Sequence, residues 1–242
     1  MEDIIREQLQ RNIGEIRQRM DAAALAAGRN PADIRLCAAS KLHDADTVRL
    51  AAELNIDIFG ENHVQELVAK KAAGAYLEKP LHFIGHLQTN KVKQVVGAVE
   101  LIQSVDSERL LSAIEKQADK CGIVQDILLE INIGGEESKG GFPPQDLAQI
   151  LPKISEFSNI RVIGLMAIPP ISQKNGDNLK YFQKMYNISV DIIEKKYDNV
   201  MVECMSMGMS DDYADAIACG STMIRIGTAI FGARDYAKLH QT

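Results

Sequence analysis

The sequence predicts a (β/α)8 barrel preceded by one additional helix. Eight short apolar segments alternate with helical patterns along 242 residues, and this number of units and this length are typical of such barrels. The apolar segments are continuous runs, as expected for parallel strands that are buried on both faces. An open doubly wound sheet is the structural alternative. The barrel is favoured over it because no GxGxxG motif follows the first strand.

The first 30 residues predict a helix that packs on the barrel. From Glu2 to Gly28 the apolar residues recur on one side of a helix; they are Ile4, Ile5, Leu9, Ile13, Ile16 and Met20. Gly28 and Pro31 then end the helix. No linker composition divides the remaining chain, so we expect one domain over residues 1–242.

The strands and helices are predicted in strict alternation after this helix. The expected strands are Ile34–Ser40, Ile56–Gly60, Leu81–Gly85, Leu101–Val105, Val124–Ile133, Val162–Ile168, Met201–Ser206 and Met223–Gly227. The expected helices are Ala45–Asn55, His63–Ala73, Asn90–Gly97, Ser107–Lys120, Pro144–Phe157, Asn178–Lys195 and Asp211–Cys219. The carboxyl ends of barrel strands carry active sites, so the polar residues that follow each strand are the candidate functional residues.

Composition excludes several classes of function. The formal net charge of −6 argues against a nucleic-acid-binding surface, which needs a basic footprint. No apolar run approaches the length of a membrane span, and the charged N-terminus is not a signal peptide. The four cysteines are widely spaced without a CxxC motif, which predicts reduced thiols of a cytoplasmic protein and no zinc site.

Two turns of small residues predict a phosphate site. Ser206-Met-Gly208 follows the seventh strand and Gly227-Thr228 follows the eighth. Small residues let backbone N–H groups approach an anion closely, and barrel phosphate sites often use these two loops.

Two cations near these turns have competing interpretations. Lys41 directly follows the first strand, where it is either a solvated lysine or a Schiff-base nucleophile whose pKa burial lowers. Arg225 lies within the eighth strand and needs an acceptor. That acceptor is either a ligand or an ion-pair partner, for which Glu130 and Glu203 are the obvious candidates.

Three other candidates have a structural interpretation that is the commoner one. His82 and His86 flank the third strand and fit core or rim histidines. Met166 fits a packing residue, although it could also lie near a ligand ring.

Seven motifs give the chain a specific resemblance to a known family. They are Ala39-Ser-Lys41, Phe59-Gly-Glu-Asn-His-Val-Gln-Glu66, His82-Phe-Ile-Gly-His-Leu-Gln-Thr-Asn-Lys91, Ile131-Asn-Ile-Gly-Gly-Glu-Glu-Ser-Lys-Gly140, Gly164-Leu-Met-Ala-Ile-Pro169, Ser206-Met-Gly-Met-Ser210 and Arg225-Ile-Gly-Thr-Ala-Ile-Phe-Gly-Ala-Arg234. In this order, from about residue 34 to residue 234, they resemble the pyridoxal phosphate homeostasis proteins of the YggS/PROSC type.

The resemblance implies an alanine-racemase-like barrel that binds pyridoxal 5′-phosphate (PLP). Its implied cofactor contacts are Lys41 as the internal aldimine, Arg225 facing the pyridine nitrogen, Asn62 beside the cofactor, and Ser206, Gly227 and Thr228 at the phosphate. Met166 is a further candidate contact near the cofactor ring. His63 and His86 depart from the family, which more often has Tyr and Pro at these positions.

The resemblance also favours a cofactor holder over an enzyme. An arginine beside the ring nitrogen leaves that nitrogen neutral and weakens the electron sink. The related racemases take a second base from an added C-terminal domain, which we do not expect in this chain. The sequence therefore predicts a monomeric protein of intracellular PLP homeostasis, with PLP-dependent apoenzymes as candidate partners. A PLP-dependent racemase or decarboxylase, and a cofactor-free Schiff-base aldolase, remain the alternatives.

Overall fold

The chain forms a closed barrel of eight parallel strands in sequential order. The computed structural model describes residues 2–136, 139–171, 174 and 176–232. Each strand pairs with its sequence neighbours, and the eighth pairs with the first through Cys37 opposite Arg225. This topology confirms the predicted (β/α)8 barrel. The strands are β1 (Arg35–Ala39), β2 (Ile58–Glu61), β3 (Leu81–Phe83), β4 (Leu101–Val105), β5 (Gln125–Ile131), β6 (Ile160–Ala167), β7 (Val200–Ser206) and β8 (Met223–Ile226).

Helices cover the outside of the barrel between the strands. They are α1 (Glu2–Ala26), α2 (Ala45–Ala52), α3 (Val64–Ala72), α4 (Val92–Val95), α5 (Glu108–Cys121), α6 (Leu147–Ile154), α7 (Leu179–Lys195), α8 (Tyr213–Ala218) and α9 (Thr228–Phe231). The predicted helix Asn90–Gly97 is only a 3-10 turn, Thr89–Lys91, followed by the single turn of α4. Gly97, at a φ of +75°, turns the chain towards β4 soon after this helix.

The N-terminal helix packs across the junction between the last and first units of the barrel. Its buried residues are Leu9, Ile13, Ile16, Met20 and Ala24, and it contacts α2, α8 and α9. Asn12 Nδ2 donates to the backbone oxygen of Ile230 at 2.7 Å. Ile4 and Ile5, which begin the predicted apolar stripe, are instead exposed, so the packed face starts one turn later.

The inside of the barrel is filled by a layer of side chains from seven strands. The layer consists of Cys37, Ile58, Leu101, Leu128, Met166, Cys204 and Met223. Because this layer fills the interior of the barrel, a ligand can bind only above it, at the carboxyl ends of the strands. Of the predicted motifs, Glu137, Ser138 and the tail from residue 233, including Arg234, lie outside the described residues. In the part of the chain that the structure describes, no helix is both long and apolar enough to span a bilayer.

Candidate functional site

A cavity of about 540 Å³ opens at the carboxyl ends of the strands. Its lining comes mainly from the segments that follow β1, β2, β7 and β8. The lining residues are Ala39, Lys41, Asn62, Ile84, Ile168, Met209, Ser210, Asp211, Arg225, Gly227, Thr228 and Ala229. The structure therefore brings together five of the seven predicted site residues, although these are far apart in the sequence.

Arg225 is held at the floor of this cavity by neutral acceptors. Its side chain is buried, with Nη1 donating to Ser206 Oγ at 2.6 Å and Nη2 donating to the Ala167 backbone oxygen at 3.0 Å. Desolvation by burial lowers the pKa of the guanidinium from its ordinary value. Among the described residues no carboxylate lies within ion-pair distance of Arg225, so the structure does not support the predicted ion pair with Glu130 or Glu203. Glu203 is exposed.

A chain of buried hydrogen bonds continues from Arg225 into the barrel. Ser206 Oγ donates to Gln103 Oε1 at 2.6 Å, and Gln103 Nε2 lies 2.9 Å from His82 Nδ1. Burial lowers the pKa of His82 to about 3, so the ring is neutral and its Nδ1 accepts from the amide. Every group in this series of hydrogen bonds therefore has a fixed donor or acceptor role, and the series orients the Arg225 guanidinium towards the cavity.

The Gly227-Thr228 turn lies at one end of the cavity, together with Ser210 and Asp211, which come shortly after the predicted turn Ser206-Met-Gly208. Gly227 precedes α9, and Thr228 and Ala229 begin this helix, where backbone N–H groups have no partner within the helix. Ser210 and Asp211 line the cavity from the turn after β7. The Arg225 backbone N–H donates to the Gly208 oxygen at 3.0 Å, which ties the two turns together.

The turn after β7 is organised by a buried aspartate. Asp212 Oδ1 accepts from the Met209 N–H at 2.7 Å, and Asp212 Oδ2 accepts from Asn178 Nδ2 at 2.7 Å. Asp212 occupies the N-terminal cap position of α8, but its side chain makes no cap hydrogen bond and braces the cavity-lining turn instead.

Asn62 offers the cavity an unsatisfied acceptor. It follows β2, lines the cavity and carries a buried Oδ1 without a hydrogen-bond partner among the described residues. A buried polar atom of this kind is costly unless a ligand or water satisfies it. Asn62 therefore fits a ligand that brings a hydroxyl group to this wall.

Two predicted site residues do not reach the cavity. Met166 is completely buried in the side-chain layer that fills the barrel, and Ile168, two residues further along, lines the cavity instead. Ser206 is also completely buried, and its hydroxyl is used by Arg225 and Gln103 rather than being available to a phosphate. Since inward-facing side chains of a barrel stack in layers, a residue one layer too deep supports the site without lining it.

The residues that sequence reasoning missed are Ser210 and Gln103. Ser210 belongs to the same motif as Ser206 but lies beyond the predicted turn Ser206-Met-Gly208, and its position after the strand rather than inside it was the available signal. Gln103 is a buried amide, next to Ser104, in a strand that is otherwise apolar, which signals a buried hydrogen-bond partner. His82 was correctly predicted to be a core histidine.

The opposite rim of the mouth carries His86 and Glu130. The His86 side chain is 71% exposed and its Nδ1 lies 3.2 Å from Asp106 Oδ2, as expected for a rim histidine. Burial, followed by the nearby Asp106 charge, raises the pKa of Glu130. Among the described residues no group of three His, Cys, Asp or Glu side chains is arranged to hold a metal ion.

Known proteins resemble this chain over nearly its whole length. A family model described as the alanine racemase N-terminal domain matches residues 4–235. The pyridoxal phosphate homeostasis protein of Aquifex aeolicus is 41% identical over 224 residues, covering 93% of this chain and 97% of that protein. The protein of the same name from Escherichia coli K12 is 36% identical over 232 residues, covering 94% of this chain and 97% of that protein.

Solved structures agree with these relatives. PipY of Synechococcus elongatus, solved with PLP bound, superposes with a TM-score of 0.78 at 31% identity, covering 90% of this chain and 100% of that chain. Alanine racemase of Clostridium difficile has a TM-score of 0.72 at 13% identity, covering 94% of this chain and 57% of that chain, which shows a shared fold alone. The chain belongs to the pyridoxal phosphate homeostasis protein family, whose barrel is of the alanine racemase N-terminal-domain type.

Proposed function

We propose that this chain binds PLP at the barrel mouth and holds it as a lysine Schiff base for intracellular PLP homeostasis, with little or no catalysis. The observation that carries the proposal is the convergence of an amine, a guanidinium and the segments that follow β7 and β8 on one cavity. Lys41 supplies the amine and Arg225 the guanidinium, and Ser210 and Gly227-Thr228 represent the two segments. The PLP-bound relative PipY and the homeostasis proteins support the same ligand.

The donor set of the cavity fits the groups of PLP. Backbone N–H groups at the start of α9, together with the Thr228 and Ser210 hydroxyls, suit a phosphate. Arg225 is a permanent donor, which suits an unprotonated pyridine nitrogen. The orphaned Asn62 Oδ1 suits a ligand hydroxyl. Lys41, half-buried beside these groups, completes the set because its amine condenses with an aldehyde and releases water.

The same residues argue for holding rather than turnover. Bound PLP supplies an aldehyde and an electron-withdrawing ring. Arg225 cannot transfer a proton to the ring nitrogen, so it leaves the ring in its less electron-withdrawing form. Racemisation needs bases on both faces of a substrate. Among the described residues that line this cavity, Lys41 is the one amine and Asp211 the one carboxylate, while the histidines of the mouth, His63 and His86, line its adjoining part.

Absorption spectroscopy with borohydride trapping tests the binding site. Protein incubated with PLP should show a visible band, and reduction should fix the cofactor on Lys41, as mapped by mass spectrometry of peptides. Lys41→Ala should abolish the band. Lys91→Ala is the matched control, because Lys91 lines the neighbouring part of the mouth and should leave the band unchanged. A band that survives in Lys41→Ala would show that another group binds PLP.

Hydrogen exchange at amino acids tests the catalytic alternative. The PLP-loaded protein in deuterium oxide should exchange the Cα proton of no amino acid faster than free PLP does. Enzyme-like exchange of one amino acid that disappears in Lys41→Ala would establish a racemase or decarboxylase instead. A colourless protein that traps a carbonyl substrate without PLP would establish the aldolase alternative.

The proposed function also concerns the location, the oligomeric state and the partners of the protein. We propose that the protein is a cytoplasmic monomer that supplies PLP-dependent apoenzymes. The cysteine pattern supports a reducing compartment, since Cys37, Cys121, Cys204 and Cys219 are all free thiols. Light scattering on the apoprotein and the PLP-loaded protein tests the monomer, and transfer of bound PLP to an added apoenzyme tests the delivery role.

A further inference from the structure

A buried ion cluster lies behind Lys41, outside the cavity. Glu61 ends β2, and Glu66 and Lys70 lie one turn apart on α3. Lys70 Nζ is 2.8 Å from Glu61 Oε1 and 2.9 Å from Glu66 Oε2. The exposed fraction of the side chain is 6% for Lys70, 0% for Glu61 and 24% for Glu66. Burying such charges is expensive, and apolar residues of similar volume often give equal or greater stability.

The cluster holds the backbone on both sides of Lys41. Lys70 Nζ donates to the Ser40 backbone oxygen at 2.7 Å, and the Leu42 N–H donates to Glu66 Oε2 at 2.7 Å. Ser40 Oγ also donates to Glu61 Oε1 at 2.6 Å. The residues immediately before and after Lys41 are thus fixed by one connected set of charges.

Two details show that the cluster fixes one defined backbone geometry around Lys41. The ammonium of Lys70 has three donors, and all three are used by Ser40, Glu61 and Glu66. Leu42 has a φ of +66°, a left-handed conformation that is unusual for leucine and persists only where neighbouring contacts impose it. The Glu66 carboxylate supplies such a contact at the Leu42 N–H.

We propose that the buried cluster positions Lys41 and aims its amine at the aldehyde of PLP. The cluster is named the Lys70 clamp, and its positioning residues are Glu61, Glu66 and Lys70. This inference rests on the proposed function for the identity of the aldehyde. Condensation requires the amine nitrogen to approach the carbonyl carbon closely and in the correct direction, and a misplacement of about 1 Å can slow such a reaction about 100-fold. The clamp fixes the backbone from which the flexible lysine side chain starts.

Hydrogen–deuterium exchange of the apoprotein tests the clamp without any ligand. The Leu42 amide should be protected in the wild type and should exchange at least about tenfold faster in Glu66→Ala, because its acceptor is removed. Glu66→Gln keeps an acceptor oxygen and should restore most of the protection. Lys71→Met is the matched control, since Lys71 donates to the Ala98 backbone oxygen away from Lys41.

The rate of condensation with pyridoxal tests the consequence for Lys41. Glu66→Ala and Lys70→Met should slow the reaction about tenfold or more, and Glu66→Gln should slow it less. Tyr76→Phe separates positioning from stability. It removes the 3.0 Å hydrogen bond from the Tyr76 hydroxyl to Glu61 Oε1 but touches neither Ser40 nor Leu42, so it should lower the unfolding midpoint without slowing condensation. If Lys70→Met does not fold, Glu66→Ala, at a partly exposed position, decides the question.

The outcomes separate the clamp from the function on which it rests. If the wild type is labelled at a lysine other than Lys41, the proposed function is wrong, and Leu42 exchange still decides whether the clamp exists. If Lys41 is labelled but Glu66→Ala matches the wild type in both exchange and rate, the clamp is wrong. Equal slowing by Tyr76→Phe would reduce the cluster to a merely structural role.

Discussion

Arg225 depends on side chains that never reach the ligand cavity. Its hydrogen bond to Ser206 is one link of a buried series that ends at His82, and each link leaves the next atom a single role. In a low-dielectric interior, such series are stable only when every member is satisfied. Residues of this series should therefore affect both the stability of the fold and the environment of the bound ligand.

Removing the Ser206 hydroxyl should destabilise the fold. In Ser206→Ala, a donor of Arg225 and the Gln103 Oε1 acceptor are left unpaired in a fully buried site, which costs about 1–3 kcal/mol of unfolding free energy. Urea denaturation measures this change. Ser112→Ala is the control, because the exposed Ser112 hydroxyl bonds only to the Glu108 oxygen within α5 and should contribute under about 0.5 kcal/mol. Equal midpoints for the two variants would contradict the buried series.

Thr228 should contribute to phosphate binding but not to the reactivity of Lys41. Thr228→Val keeps the shape of the side chain and removes its hydroxyl, so a charge-assisted hydrogen bond worth about 1.5–3 kcal/mol is lost. The dissociation constant for PLP should therefore rise about tenfold to 100-fold. Pyridoxal lacks the phosphate and serves as the control ligand. An equal loss for both ligands would show that Thr228 does not contact the phosphate.

At the scale of elements, the cavity depends on close packing between the turn after β7 and α8. Gly208 has a φ of +98°, and a Cβ built there would lie 2.7 Å from Ala216 Cβ and 2.9 Å from Tyr213 Cα. Gly208→Ala should therefore cost about 2–4 kcal/mol, combining an unfavourable backbone conformation with overpacking. It should also weaken PLP binding, because the turn carries Ser210.

A second glycine provides the opposite expectation for the same substitution. Gly14 lies within α1, and a Cβ built there meets nothing within 4 Å. Gly14→Ala should stabilise the fold by about 0.5–1 kcal/mol, because alanine favours the helix and restricts the unfolded chain. Thermal unfolding of both variants measures the contrast. A stable Gly208→Ala variant would mean that the turn after β7 can move away from α8.

The sequence predicted elements better than it predicted layers. Continuous apolar runs, with glycines near their ends, located all eight strands, because both features arise from local conformation and burial. The layer to which an inward-facing residue belongs depends on strand stagger, which no short pattern encodes. That is why Ser206 and Met166 were predicted as cofactor contacts but lie below the cavity. The Lys70 clamp was missed for a similar reason, since it joins residues on two elements.

At the scale of the whole molecule, α1 joins parts of the barrel that are distant in sequence. It packs against α2 near the beginning of the barrel and against α8 and α9 near the end. Arg29, just beyond this helix, donates from Nη1 to the Ile217 and Ser221 backbone oxygens, each at 2.7 Å. Lys41 follows β1, and Arg225 lies on β8, which pairs with β1. The packing of α1 therefore helps to fix the positions of these two site residues relative to each other.

The buried His82 should make the entire barrel sensitive to acid. Desolvation by burial, reinforced by the Arg35 charge, lowers the pKa of His82 to about 3. The ordinary value in an unfolded chain is about 6.5. Between these two values the unfolded state binds the proton and the folded state does not. Stability from this residue is therefore fully present above pH 6.5 and falls by about 1.4 kcal/mol per pH unit as the pH decreases towards 3.

His82→Gln isolates this contribution from the other titrating groups. The amide keeps an oxygen that can accept from Gln103 but carries no titratable group. The raised pKa of Glu130 acts in the opposite direction, favouring the folded state at low pH, and it is common to both proteins. Urea denaturation from pH 7 to pH 4.5 should show the wild type losing about 2–3 kcal/mol more than His82→Gln. Parallel stability curves would mean that His82 is protonated in the folded barrel. Its Nδ1 would then donate a hydrogen bond, so Gln103 would have to present its oxygen to His82. That change would reverse the order of the hydrogen bonds that orient Arg225.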